Sequence, residues 1–148
     1  MEHAAIVKRY RDYLSGKGLR LTKQRRRILD RVYGTHDHFS AETLLRWLAA
    51  EQGAPVSRAT VYRTLEMMVS GGFLAAVDTG GKELLYEHAL GHSHHDHMVC
   101  ITCGSIEEFV DEEIERRQSA ACAEAGFTPV RHLLRIRGYC RSCGSPPD

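Results

Sequence analysis

Residues 92–103, HSHHDHMVCITC, place four histidines, one aspartate and two cysteines within twelve positions. Ordinary core or surface packing rarely concentrates metal-ligand side chains in this way, and the stretch limits what can surround it. Its cysteines, Cys100 and Cys103, need a second pair, and its histidines need oxygen donors. Cys140 and Cys143 supply the pair after 36 intervening residues, a longer separation than in a simple zinc ribbon. Each Cys-x-x-Cys turn lets two thiolates meet one ion, and four thiolates satisfy tetrahedral Zn(II). Structural zinc would then close the intervening β-α-β segment and couple its folding to metal. A redox pair is the alternative. Cys122, among Ala120, Ala121, Ala123 and Ala125, reads as a small buried residue.

Alternate side chains of a strand share a face, so His95 and His97 point one way and His94 and Asp96 the other. One strand could thus serve two further metal sites, with Glu108 on the next predicted strand and Glu115 on the following helix as candidate oxygen donors. Mixed imidazole and carboxylate ligation without thiolate suits Fe(II), Mn(II) or Zn(II). No nucleophile and base pairing is evident, which leaves a metal-dependent hydrolase as a distant alternative and predicts no enzyme. Beyond HMVCI, the pattern predicts a strand at IEEFV, a helix over 111–125 with Ile114 inward, and an extended segment to Tyr139. Together these make a small α/β unit with an antiparallel sheet.

The first half of the chain has a different character. Residues 1–72 hold 13 Lys+Arg against 7 Asp+Glu, whereas 73–148 hold 7 against 12. The N-terminal half is therefore the candidate for a polyanion partner. Apolar residues at helical spacing predict four helices. The first carries Ile6, Tyr10, Tyr13 and Leu14 and ends at Gly16 and Gly18. The second starts at the N-cap Thr22 and runs through Ile28, Leu29 and Val32 to Gly34, with Lys23, Arg25, Arg26 and Arg27 outside as phosphate-attracting charges, one or two of them alternatively paired with nearby acids. The third is capped by Ser40, with Leu44, Leu45 and Leu48 inside. The fourth is capped by Ser57, with Val61, Leu65 and Met68 inside and Gly71-Gly72 as its stop. FLAAV, a turn over Asp78–Lys82 and ELLYE complete a winged helix.

The expected class is α+β, with a winged-helix DNA-binding domain over 1–87, a hinge over 88–93 and an α/β dimerisation and metal-binding domain over 94–148. No apolar run approaches the ~20 residues of a membrane span and the N-terminus lacks the apolar core of a signal peptide, so a cytoplasmic chain with no membrane partner is expected. Five cysteines in that setting argue for metal or reactive thiols over a disulfide framework.

ATVYR at 59–63, HHDHMVCITCG at 94–104 and CRSC at 140–143, in this order and spacing, resemble the Fur (ferric uptake regulator) family of metal-dependent bacterial repressors. The resemblance runs from LRLTKQRRRIL at 19–29 to the last cysteine. It implies a sensor site formed by His38, Glu87, His95, His97 and Glu108, and a second dimerisation-domain site formed by His94, Asp96, Glu115 and His132. It also implies DNA contacts by Tyr62 and Arg63 near Ser57, Arg58 and Thr60, with Arg20 entering an A·T-rich minor groove. The implied partners are an A·T-rich inverted repeat of double-stranded DNA and a second copy of the chain, as dimer or tetramer. The implied co-repressor is Fe(II) or Mn(II), with Zn(II) as the alternative, acting on metal-uptake genes. Glu87 and Glu108 stand where peroxide-sensing relatives tend to have Asp, and Tyr86-Glu87-His88 stands where zinc-sensing relatives tend to bring a Cys, so the pattern looks most like the iron-responsive branch. The linker adds His88 and His92, either of which could substitute in a site.

Overall fold

A computed structural model describes residues 2–80, 83–90, 95–130 and 132–144. The chain divides into two compact units, Met1–Asp78 with Lys82–His92 and Thr79–Gly81 with Ser93–Asp148. His92 and His94 lie outside the described residues.

In the first unit four helices enclose one core: α1 (His3–Gly16), α2 (Lys23–Tyr33), α3 (Ala41–Ala50) and α4 (Arg58–Ser70). Three of them start where a hydroxyl accepts an otherwise orphaned amide. Thr22 takes the Arg25 N–H, Ser40 that of Thr43 and Ser57 that of Thr60. Ile6, Tyr10 and Leu14 of α1, Ile28, Leu29 and Val32 of α2, and Leu44 and Leu48 of α3 point inward. Val61, Leu65 and Met68 of α4 are fully buried among them, each such side chain contributing roughly 1.5–3 kcal/mol. Tyr10 packs edge-on against Phe73 at 4.9 Å, and burial raises its phenol pKa to about 12. Gly71-Gly72 stops α4, with the Phe73 amide donating back to the Met68 carbonyl at 2.8 Å.

The chain then forms the antiparallel pair β2 (Leu74–Asp78) and β3 (Leu84–His88). A two-residue strand, β1 (Phe39–Ser40), joins β3 on its other side and pairs Phe39 with Tyr86. Two residues carry no readable periodicity, so β1 is absent from the sequence reading. It arises because the N-cap residue Ser40 is already extended, at φ −90° and ψ 165°. Ser57→Ala should remove one cap and lower stability by about 1 kcal/mol, read as a lower urea midpoint with an unchanged slope.

The second unit contains β4 (Asp96–Cys100), β5 (Ile106–Phe109), α5 (Glu112–Glu124) and β6 (Arg135–Gly138), with strand order β5-β4-β6. The expected antiparallel sheet is corrected here. β5 is antiparallel to β4, but β6 is parallel to it, pairing His97 with Arg135 and Cys100 with Gly138. The physical reason is that β5 brings the chain back to the start of β4 and the long α5 segment then carries it across to the far side, so that β6 leaves in the direction of β4. α5 begins at Asp111, whose carboxylate accepts the amides of Glu113 and Ile114, and it has no buried residue. Cys122 is accordingly half-buried and not the buried residue expected from its alanine neighbours. No described helix is long and apolar enough to cross a membrane.

Candidate metal centres and recognition helix

The four cysteines converge at the ends of the parallel pair β4 and β6. Their Sγ atoms all lie within 4.8 Å of one another and none forms a disulfide. Both halves are built alike, as Cys-x-x-Cys-Gly. The amides of Gly104 and Gly144 donate back to the carbonyls of Cys100 and Cys140, at 2.9 and 3.1 Å, and both glycines adopt positive φ, of 73° and 68°. The space around both is open, so it is this left-handed backbone, which L side chains rarely adopt, that favours Gly.

Electrostatics favour thiolate at one side of the cluster. The Cys103 amide, followed by the Cys140 amide, draws the Cys100 thiol down to about 6, and the latter amide lies 3.4 Å from its Sγ. Ser105 Oγ, 3.2 Å from Cys103 Sγ, helps to lower Cys103. Cys143 is pushed up to about 12 because it shares hydrogen bonds with Cys140 and Cys103. Four thiolates this close repel, so a divalent cation is what allows all four to ionise; the donor set fits tetrahedral Zn(II).

A second group lies in the same unit. Asp96, Glu115 and His132 offer ligand atoms that all lie within 4.8 Å of one another, and Asp96 is 1% exposed. His132 Nε2 is 3.2 Å from Glu115 Oε1. His94, assigned to this set from the resemblance, falls outside the described residues.

The remaining nitrogen and oxygen donors form two sets, one in each unit. In the first, His38 Nε2 lies 3.0 Å from Glu87 Oε2. In the second, His95 Nε2 lies 3.7 Å from Glu108 Oε1, and the His95 and His97 rings meet edge to face at 5.0 Å. His97 is buried and is the cross-strand neighbour of Glu108.

The N-terminal turn of α4 carries the residues expected to read DNA. Tyr62 is 44% exposed, a large fraction for an aromatic ring on a helix otherwise packed into the core. The hydroxyls of Ser57 and Thr60 lie 2.8 Å apart and complete the cap. Arg58 makes a two-pronged ion pair with Glu42 of α3, its Nη2 at 2.9 Å from Oε2. This carboxylate raises the guanidinium pKa. The Tyr62 hydroxyl donates to the same Glu42 carboxylate at 3.1 Å. Arg20 precedes α2, and its carbonyl accepts from the Arg25 guanidinium at 2.7 Å.

A model of the ferric uptake regulator family matches residues 16–137. The chain belongs to that family. A ferric uptake regulation protein of Campylobacter jejuni is 35% identical over 146 residues, covering 98% of this chain and 92% of that protein. Among solved structures, the Helicobacter pylori ferric uptake regulator, described as having three functional metal-binding sites, aligns with a TM-score of 0.83 at 29% identity. It covers 97% of this chain and 94% of its own. The Pseudomonas aeruginosa ferric uptake regulator with manganese aligns at 0.74 and 34% identity, covering 86% and 95%. Fur-family proteins are transcriptional regulators, so this chain is a regulator and not an enzyme.

Several side chains have roles in this Fur-family fold that the sequence did not disclose. Arg27 Nη2 donates to the Leu48 carbonyl at 3.2 Å and its Nη1 to that of Ala54. Arg26 binds Asp30 through Nε at 2.7 and 2.8 Å. Arg26 is thus one of the basic residues of 23–27 that the sequence allowed to pair with a nearby acid, and the two carbonyl bonds tie Arg27 into the first unit as well. His88, a candidate substitute ligand, is buried, stacks on Tyr33 at 4.5 Å and donates from Nε2 to the Val32 carbonyl at 2.8 Å. Glu42, in the first turn of α3, bonds Arg58 and Tyr62; its one sequence signal is its place two residues after the N-cap Ser40, where a negative charge suits the helix start.

Proposed function

We propose that the protein is a metal-responsive repressor that binds an A·T-rich inverted repeat as a homodimer and uses Fe(II) or Mn(II) as co-repressor at metal-uptake genes. Residues 1–87 act as the DNA-binding domain, 88–93 as the hinge and 94–148 as the dimerisation domain. The observation that carries this reading is the composition of the two donor sets: His38 with Glu87 in one unit, and His95 and His97 with Glu108 in the other, all nitrogen and oxygen. One ion held by both sets has higher affinity for the arrangement that binds DNA, and by linkage DNA then raises the affinity for the ion. Imidazole and carboxylate without thiolate suit Fe(II) and Mn(II), in keeping with relatives named for ferric uptake regulation. Cys100, Cys103, Cys140 and Cys143 hold structural Zn(II), and Asp96, Glu115 and His132, with His94, form a second site.

On DNA, the N-terminal end of α4 enters the major groove. Tyr62 stacks against thymine methyls, Arg63 takes phosphate or guanine, and Ser57, Arg58 and Thr60 flank them. Arg20 reaches the minor groove. In the second unit, Val110, Phe127, Leu133 and Ile136 are exposed in the single chain and supply apolar surface for the partner copy.

The test is a DNA-binding titration against Fe(II), Mn(II) and Zn(II), on protein whose tightly bound zinc has been counted. Fe(II) or Mn(II) should raise affinity for the inverted repeat by roughly 5–150-fold, the usual range of such coupling. Equal affinity with and without metal defeats the regulatory reading, and a response to Zn(II) alone moves the protein to the zinc-sensing branch.

A further inference from the structure

We infer that Glu42 is a positioning residue for DNA discrimination: it holds Arg58 and Tyr62 as one unit and keeps the Arg58 guanidinium from indiscriminate phosphate binding. The inference rests on the DNA-binding reading of α4. Its geometry is a three-residue node on the outer face of the first unit. Glu42 in the first turn of α3 receives both prongs of Arg58, the first residue of α4, and the hydroxyl of Tyr62, one helical turn further on.

Stability does not account for this node. The Arg58 side chain is 65% exposed and that of Glu42 36%, and ion pairs at such exposure contribute little to folding. A carboxylate on a surface that meets polyanionic DNA is repelled by phosphate, so its presence needs a compensating role. Two effects follow from the bonds. The hydroxyl bond fixes the Tyr62 phenol, leaving the ring to face outward in one orientation. The fork occupies the guanidinium that would otherwise reach any nearby phosphate, whatever the sequence. Glu83 borders the same hollow with Glu42, Tyr62, Leu84 and Tyr86, so a second carboxylate discourages phosphate on that side. Specificity is a difference between two affinities, and suppressing the wrong complex serves it as well as strengthening the right one.

The experiment measures, at saturating Mn(II), the affinity of full-length protein for the inverted repeat and for a scrambled duplex across a salt series. In Glu42→Gln the freed arginine should add one phosphate contact to the scrambled complex, steepening its log–log salt slope by about 0.9. The ratio of specific to scrambled affinity should fall about tenfold, the scale of one base-reading contact. In an Arg58→Ala background the same Glu42→Gln change should leave the slope as it was, because no guanidinium is released. An equal change of slope in both backgrounds, which a general loss of negative charge would produce, overturns the inference, as does an unchanged ratio in Glu42→Gln. Wild-type protein that fails to distinguish the two duplexes overturns the DNA-binding reading itself; wild-type protein that distinguishes them, with Glu42→Gln behaving alike, overturns only the role of Glu42.

Discussion

Cys100→Ser protein is expected to lose its tightly bound zinc and with it the cooperative unfolding of the second unit, while the first unit still melts close to its parent temperature. The contrast between the two units explains why. The continuous apolar core lies wholly in the first, whereas among described residues of the second only Val99 and Cys100 are buried apolar side chains. Domains hold together by about 5–15 kcal/mol in total, and structural zinc supplies apparent binding energies of about 10–16 kcal/mol in small metal-folded units. A unit with so little core depends on that contribution. Three remaining thiolates lack the fourth corner of a tetrahedral site whose Sγ atoms are already gathered within 4.8 Å. Zinc per chain, thermal melting and size-exclusion chromatography report the outcome together. Parent-like zinc content and two intact transitions would contradict a structural role for the cysteines.

His97→Ala should behave in the opposite way, keeping the cysteine-bound zinc and the melting profile while losing metal-dependent DNA binding. The affinity gain produced by Fe(II) or Mn(II), roughly 5–150-fold in the parent, should fall to none. His97 is buried beside His95, so truncation leaves a small void. Glu108→Gln serves as the companion, since its side chain is 48% exposed and its loss disturbs packing little. Gel shift against the inverted repeat, with zinc counted in the same samples, gives the answer. Zinc loss in His97→Ala would show that the two centres are not separable, and retained metal response in both variants would remove these residues from the sensor.

Much of this was legible in the residues because the signals are local. Thr22, Ser40 and Ser57 announce helix starts through their own hydroxyls, and Val61, Leu65 and Met68 declare an inner face by spacing alone. The Cys-x-x-Cys-Gly pairs carry their turn geometry within five residues. What escaped depends on partners distant in sequence. Nothing in RIRG says whether its neighbour runs parallel or antiparallel, because that depends on which edge of the sheet the α5 segment delivers the chain to. In the basic stripe over 23–27 the pairing of Arg26 with nearby Asp30 was legible as an alternative, whereas the carbonyls of Leu48 and Ala54 that hold Arg27 lie more than twenty residues away. His88 looked like one more ligand until its ring was placed on Tyr33 and its Nε2 on the Val32 carbonyl. α5 was expected to turn Ile114 inward, but within one chain Ile114 and Cys122 are only half-covered and Ala120, Ala121 and Ala123 are exposed.

Strand β4 carries His97 and Cys100 three residues apart, about 10 Å along an extended backbone that cannot stretch. The cysteine end is fixed by the partner turn on β6, and the histidine end inherits its register from it. If Cys100 and its partners hold zinc and His97 belongs to the sensor site, as proposed, loading is ordered in time: the zinc end sets the register before the histidines have a defined place to stand, and a newly made chain short of zinc would not respond to its regulatory metal.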